Sequence, residues 1–185
     1  TGSGVGAGSS SSSGGGGSAG DACVPSENVG PISEDCGIFV ELSGKDSDPG
    51  TQSAPVQTLA HAMQLAKSGT GRVYACGQVF KEALEVPAGI SIFGGLDCQS
   101  DWSYSAGKRT SITADPGVIP LKLTKGGNGI RLEDLNATAA DAVDPGGSSI
   151  AVVADGATAT ITRCDFTAGA GMAGLKGGTP TDDVG

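Results

Sequence analysis

The chain has 185 residues, 33 of them glycine, with 4% aromatic and 37% hydrophobic residues and a formal net charge of −9. That acidic balance argues against nucleic acid as a partner, because phosphate binding needs clustered Lys and Arg, and no apolar run approaches the roughly 18 residues of a membrane span. Many glycines and little large apolar volume predict a thin core of Val, Ile, Leu and Ala threaded through tight turns.

Residues 1–20, TGSGVGAGSSSSSGGGGSAG, carry no charge and hardly a side chain larger than Ser. Such a segment buries too little surface to offset its ordering entropy, so it reads as a disordered tether to a membrane or wall anchor upstream of Thr1. Residues 21–43 form a lead-in to a first strand expected over 38–42, and a Cys23 to Cys36 disulfide would fasten it there.

Residues 44–71 hold a turn, GKDSDPGT, and the one predicted helix. Asp46 and Asp48 stand at i and i+2 as in a calcium loop. Further acidic ligands and an end-on Glu are missing, so the expectation is an Asx-type turn and no cofactor, with calcium as the alternative. In the helix, Val56, Leu59, Ala60, Met63 and Ala66 lie on one stripe of period 3.6. Ser53 and Pro55 suit its start, and Lys67 and Gly69 suit its end. His61 lies on this helix with no Cys or Ser placed beside it by any motif, and reads as an ordinary helix residue.

From 72 to 170 the period changes to two, and three segments align: ALEVPAGISIFGGLD, PLKLTKGGNGIRLEDLN and IAVVADGATATITRCDF. The alignment equates Val86, Leu123 and Val153; then Ile92, Leu132 and Ile161; then Leu96, Leu135 and Phe166. A further short strand is expected before each copy, at 73–76, 111–113 and 148–150. Three strands recurring every few tens of residues predict an all-β fold, a parallel β-helix of about three coils whose equivalent residues stack in ladders, with the helix capping its first turn. Stacking at about 4.8 Å per coil also places Cys76 and Cys98 within disulfide reach. Residues 171–185 form a Gly-rich tail expected to lead into further sequence.

Cys23, Cys36, Cys76, Cys98 and Cys164 show no Cys-x-x-Cys spacing, and are read as the disulfides of an exported protein. Cys164 is left over, either as a buried free thiol or with a partner beyond Gly185.

The run CGIFVELSGKDSDPGTQSAPVQTLAHAMQLA, followed by RVYACGQVF, VPAGISIFGGLDC and a Trp, resembles the N-terminal cap and first coil of exported right-handed parallel β-helix proteins. It is most similar to surface or lipoprotein-like members of predatory and soil delta-class bacteria. The most specific part is the G-x-D-x-x-P-G-T turn ahead of P-x-x-T-L, and the resemblance covers about residues 36–170. It implies a right-handed β-helix, export to the cell surface, in some members by a lipid anchor, and a Gly/Ser tether. Most members have no assigned activity. The wider superfamily includes pectate lyases and polygalacturonases, but no catalytic motif of either is present to carry over.

Two groups of residues are candidates for function. The alignment sets Asp134 and Asp165 on adjacent coils, with Arg131 and Arg163 nearby. Such a carboxylate pair is the equipment of a glycosidase or of a calcium site, and the arginines suit an acidic sugar. The plainer reading is a salt-bridged outer face, because Gly95 occupies the matching position in the first copy. The segment QSDWSYSAGKRT carries Trp102 and Tyr104, read as a projecting loop that stacks on sugars; the competing reading folds Trp102 back over the first coil. A Gly169 to Gly174 match to the dinucleotide pattern lacks the required strand and helix. The functional expectation is non-catalytic adhesion, polysaccharide binding or envelope structure, with a lyase or hydrolase acting on acidic polysaccharide as the alternative.

Overall fold

A computed structural model describes residues 21–28 and 30–178. The expectations for the 1–20 tether and for the tail from 179 onward lie outside those residues.

Among the described residues, thirteen strands and one α-helix follow a short lead-in of 3-10 turns. The strands are β1 Ile38–Val40, β2 Arg72–Cys76, β3 Val79–Lys81, β4 Leu84–Val86, β5 Ser91–Asp97, β6 Ser103–Tyr104, β7 Thr110–Thr113, β8 Leu121–Thr124, β9 Ile130–Glu133, β10 Leu135–Thr138, β11 Val152–Asp155, β12 Ala159–Thr162 and β13 Asp165–Thr167. They form three sheets, ordered β1-β2-β5-β9-β12, β3-β7-β10-β13 and β4-β8-β11. All pairings are parallel except that of β6 with β5. From β2 onward, with β6 set aside, the chain visits the first, second and third sheets in fixed rotation. Each sheet therefore gains one strand per wrap.

The register stacks like upon like. Ile38, Val73, Ile92, Leu132 and Ile161 form one inward ladder of the first sheet, so the expected equivalence of Ile92, Leu132 and Ile161 holds. Phe80, Ile112, Ala137 and Phe166 form the ladder of the second sheet. In the third sheet Leu84 and Val86 stand over Leu121 and Leu123, then Val152 and Ala154. Over the first wraps these rows meet in one buried cluster, while Ile161, Phe166 and Ala154 of the last strands are exposed.

Two of the expected equivalences shift. Leu123 pairs with Ala154, one residue past Val153. Phe166 pairs with Ala137, while Leu135 pairs with Thr110. The strand preceding each copy is also corrected: β3, β7 and β10 are the equivalent set. Residues 73–76 belong to the first sheet, and 148–150 form no strand. β3 has three residues and a single inward side chain, Phe80, too short to show a period. A bulge in β5, where the register slips between Tyr74 and Cys76, moves Leu96 off the ladder.

The helix α1, Leu59–Lys67, buries Leu59, Ala62, Met63 and Ala66 against the first wrap. Ala62, rather than the expected Ala60, completes its apolar face, and Val56 lies ahead of the helix in a bridge to Val40. The start is Thr58, not Ser53 or Pro55, because three acceptors converge there. Thr58 Oγ1 accepts from the His61 amide, at 3.2 Å. Glu82, at the corner between β3 and β4, accepts from the Leu59 and Ala60 amides at 2.9 and 3.0 Å. Together with the Ala62 amide on the Thr58 carbonyl, every donor of the first turn is satisfied, and a carboxylate sits at the positive end of the helix. Glu82 thus joins the lid to the wrap it covers. β1 ends at Val40 rather than at Leu42, whose amide turns away to Gln78.

Both expected disulfides are present, Cys23 to Cys36 and Cys76 to Cys98, with Cα separations of 5.5 and 5.7 Å. The lead-in they help secure lies on the outside of the first sheet. There Phe39, Tyr74 and Phe93 make an outward ladder, with ring centroids 5.2 and 5.4 Å apart, covered by Val24, Ile32 and Trp102. The first sheet is consequently buried on both faces over its first three strands. No helix among the described residues is long and apolar enough to cross a membrane.

Candidate functional site

The outward ladder of the first sheet changes chemistry after Phe93. Its next member is Glu133, and Asp134 follows at the junction of β9 and β10. Both carboxylates are 2% exposed. Burial of two anions demands compensation, and two arginines supply it. Arg163 donates from Nε to Asp134 Oδ1 at 2.9 Å, from Nη2 to Asp134 Oδ2 at 2.9 Å, and from Nη2 to Glu133 Oε2 at 2.7 Å. Arg131 closes on Glu133 Oε1 at 2.5 Å, lies 5.4 Å above the Phe93 ring, and reaches Glu27 of the lead-in at 3.8 Å. The Tyr104 hydroxyl donates to Asp134 Oδ1 at 3.1 Å, and that of Ser26 to Glu133 Oε2 at 3.4 Å.

This knot draws together four parts of the chain: the lead-in, the β6 hairpin, the β9–β10 junction and the β12–β13 junction. Electrostatics follow from the geometry. Hydrogen bonding to Asp134 raises the Arg163 guanidinium above its ordinary value, against some desolvation. Burial, and then the Asp134 charge, push the Tyr104 phenol up. Tyr74, buried beneath the lead-in and donating to the Cys23 carbonyl at 2.8 Å, is raised by burial to about 12.

The Asp134 and Asp165 pairing is not built. Asp165 opens β13 opposite Asn136, is exposed, and forms an ion pair with Arg109. What recurs at the Asp134 position is a left-handed backbone corner: Gly95 at φ 72°, Asp134 at 55° and Arg163 at 52°. A Cβ placed on Gly95 would come 3.1 Å from that of Asp134. Counting back from the large apolar residue equated two acids, whereas the recurring conformation equates Gly95, Asp134 and Arg163. Arginine is uncommon at such an angle, and the three hydrogen bonds of its side chain hold it there.

Trp102 does not project. It is 4% exposed, stands edge-on to Phe39 at 4.9 Å, and donates from its indole to the Gln52 carbonyl at 3.2 Å. Its ring is therefore not offered to a ligand. Tyr104 is half-buried, with its ring facing Arg163 at 6.0 Å.

Asp46 is an anchor for the approach to α1. Its Oδ1 accepts from the Gln57 and Thr58 amides, both at 2.9 Å, and its Oδ2 from the Thr58 hydroxyl at 2.8 Å. Desolvation opposes ionisation, yet the bonds from Thr58 and Gln57 prevail and hold its pKa below the usual carboxylate value. With Asp46 engaged in this way, Asp48 is not joined by further ligands; no group of three or more His, Cys, Asp or Glu suited to a metal occurs among the described residues. Cys164 is a half-buried free thiol, 3.3 Å from the Thr162 carbonyl, and burial pushes it up. His61 stays on the helix, and Gly169 to Gly174 lie in chain without helix or strand.

A second feature lies on the outside of the second sheet, which the sequence reading left unassigned. The register that buries Phe80, Ile112 and Ala137, and stacks Phe166 beside them at the exposed last strand, turns their neighbours outward in two rows. One is Lys81, Thr113, Thr138 and Thr167; the other is Val79, Ser111, Asn136 and Asp165. Thr138 and Thr167 are exposed, and Ser111 and Thr113 partly so. Strand alternation was a usable signal, since SIT, NAT and DFT each flank one apolar residue with polar ones.

No family model matches the chain, and no curated protein or solved structure matches it either.

Proposed function

We propose that this is an exported, cell-surface or surface-tethered protein of right-handed parallel β-helix fold that acts without catalysis, binding polysaccharide or another envelope component. The observation that carries the reading is the second sheet's outer face, where hydroxyl and amide side chains line up across successive strands. The commitment of the buried carboxylates supports the non-catalytic half. Asp134 is held by Arg163 and Tyr104, and Glu133 by Arg163 and Arg131, so the lone pairs of both are engaged within the protein rather than turned to a substrate. Export is supported by two disulfides, which persist in oxidising compartments.

The test is sedimentation of the protein with insoluble polysaccharides, followed by assay of the supernatant for reducing ends and unsaturated uronides. Retention in the pellet with no new ends is the expected result. Turnover that disappears in Asp134→Asn would refute the reading and favour a lyase or hydrolase.

A further inference from the structure

We infer that the outer face of the second sheet is a site for an uncharged, hydroxyl-rich polysaccharide chain that runs across the strands, along the rows of Thr113, Thr138 and Thr167 and of Ser111 and Asn136. The inference deepens the polysaccharide-binding reading above and rests on it.

Spacing is the first argument. Parallel strands lie about 4.8 Å apart, and alternate residues on one strand about 6.6 Å apart. Threonines in register at 113, 138 and 167 therefore present a hydroxyl at each step of a translation close to the length of one pyranose unit in an extended chain. A repeating ligand meets a repeating set of donors and acceptors, and β-branched threonines hold their hydroxyls with little rotamer freedom to lose.

Charge is the second. Two ionisable side chains project from this face, and each is already paired: Lys81 with Asp115 at 2.5 Å, and Asp165 with Arg109. The rows between these two pairs are neutral and rich in hydrogen-bonding groups. An acidic polysaccharide would find no free cation here and would meet a chain of net charge −9, whereas a neutral polyol matches the face. Asn136, in register with Ser111 and Asp165, adds an uncharged amide to the second row.

Microcrystalline cellulose and insoluble β-1,3-glucan serve as neutral probes, and a polygalacturonate gel as the acidic one. The wild-type chain is compared with a Thr113→Ala, Thr138→Ala, Thr167→Ala triple variant. Lys122→Ala, on the third sheet, is the control. Circular dichroism and thermal melting check that each is folded, and Thr138→Lys alone gives a second way to disturb the row should the triple variant fail to fold. Retention of wild type and Lys122→Ala on a neutral glucan, with affinity lower by about tenfold or more in the triple variant or in Thr138→Lys, supports the inference. Undiminished retention of the folded row variants overturns it while leaving polysaccharide binding standing. Retention on polygalacturonate alone overturns the uncharged class. Failure of wild type to bind any of the three overturns both this inference and the reading beneath it.

Discussion

Replacing Arg163 by Ala tests the carboxylate knot directly. Arg163 makes three hydrogen bonds to two carboxylates that are each 2% exposed. Its loss leaves Asp134 with only the Tyr104 hydroxyl named above and Glu133 with Arg131 and Ser26. Removing one partner of a buried ion pair costs on the order of 3–5 kcal/mol, because a desolvated charge is left uncompensated. The Arg163 side chain is itself 36% exposed, which lets water reach one flank and sets the expectation at the lower end, about 3 kcal/mol. Against a total stability of roughly 5–15 kcal/mol, such a loss is large. Urea unfolding at fixed pH, with disulfides intact, should show a lower midpoint at unchanged slope. A double-mutant cycle with Asp134→Asn should return a coupling well above the few tenths of a kcal/mol typical of independent sites. If Arg163→Ala unfolds within about 0.5 kcal/mol of wild type, the range of surface ion pairs, the knot is not a buried one and the reasoning fails.

Glu82→Ala removes the acceptor for the Leu59 and Ala60 amides and should cost about 1–2 kcal/mol, as the loss of a helix cap does; hydrogen exchange should show α1 opening ahead of the strands, and equal protection throughout would refute the role of Glu82 as the lid's fastening. The chain's two tyrosines, Tyr74 and Tyr104, are both raised in the folded state. A phenol raised on folding contributes stability that is full below its unfolded value near 10 and is lost as pH climbs through the folded value, about 12 for Tyr74. Ultraviolet titration should therefore find neither tyrosine half-ionised at pH 10, with alkaline unfolding accompanying the Tyr74 transition. Ionisation at pH 10 without unfolding would show that the lead-in does not seal Tyr74.

The sequence reading came closest where the chain signals by local period. Ile92, Leu132 and Ile161 sit in short β-branched runs bounded by Gly and Asp, and they stack as those runs require. Leu59, Met63 and Ala66 fall on a helical stripe, and they face the first wrap. Cys76 and Cys98 are joined as expected, although in register Cys76 stands beside Leu96 and Cys98 lies just past the end of β5. Errors arose where two periods compete or a bulge intervenes. Leu96 leaves its ladder because β5 slips by one residue, and one residue is enough to turn a side chain to the opposite face. The runs IFV, RVYAC and ISIF are apolar on both parities, which is the signature of a strand covered on each side. That signal was present for the lead-in's resting place, yet nothing local said which segment would supply the cover.

Composition, charge and hydrophobic period by themselves determined a strand-rich chain with one helix, two disulfides and a thin aliphatic core. These are properties of neighbours in sequence, or of spacings that repeat. Only the tertiary structure decided that Trp102 folds inward, that Asp165 belongs to Arg109 rather than to Asp134, and that Arg163 closes over Glu133 and Asp134. Each depends on residues some thirty or more positions apart, and a charge buried by a distant segment has its partner chosen by the packing that excludes water, which no local pattern encodes.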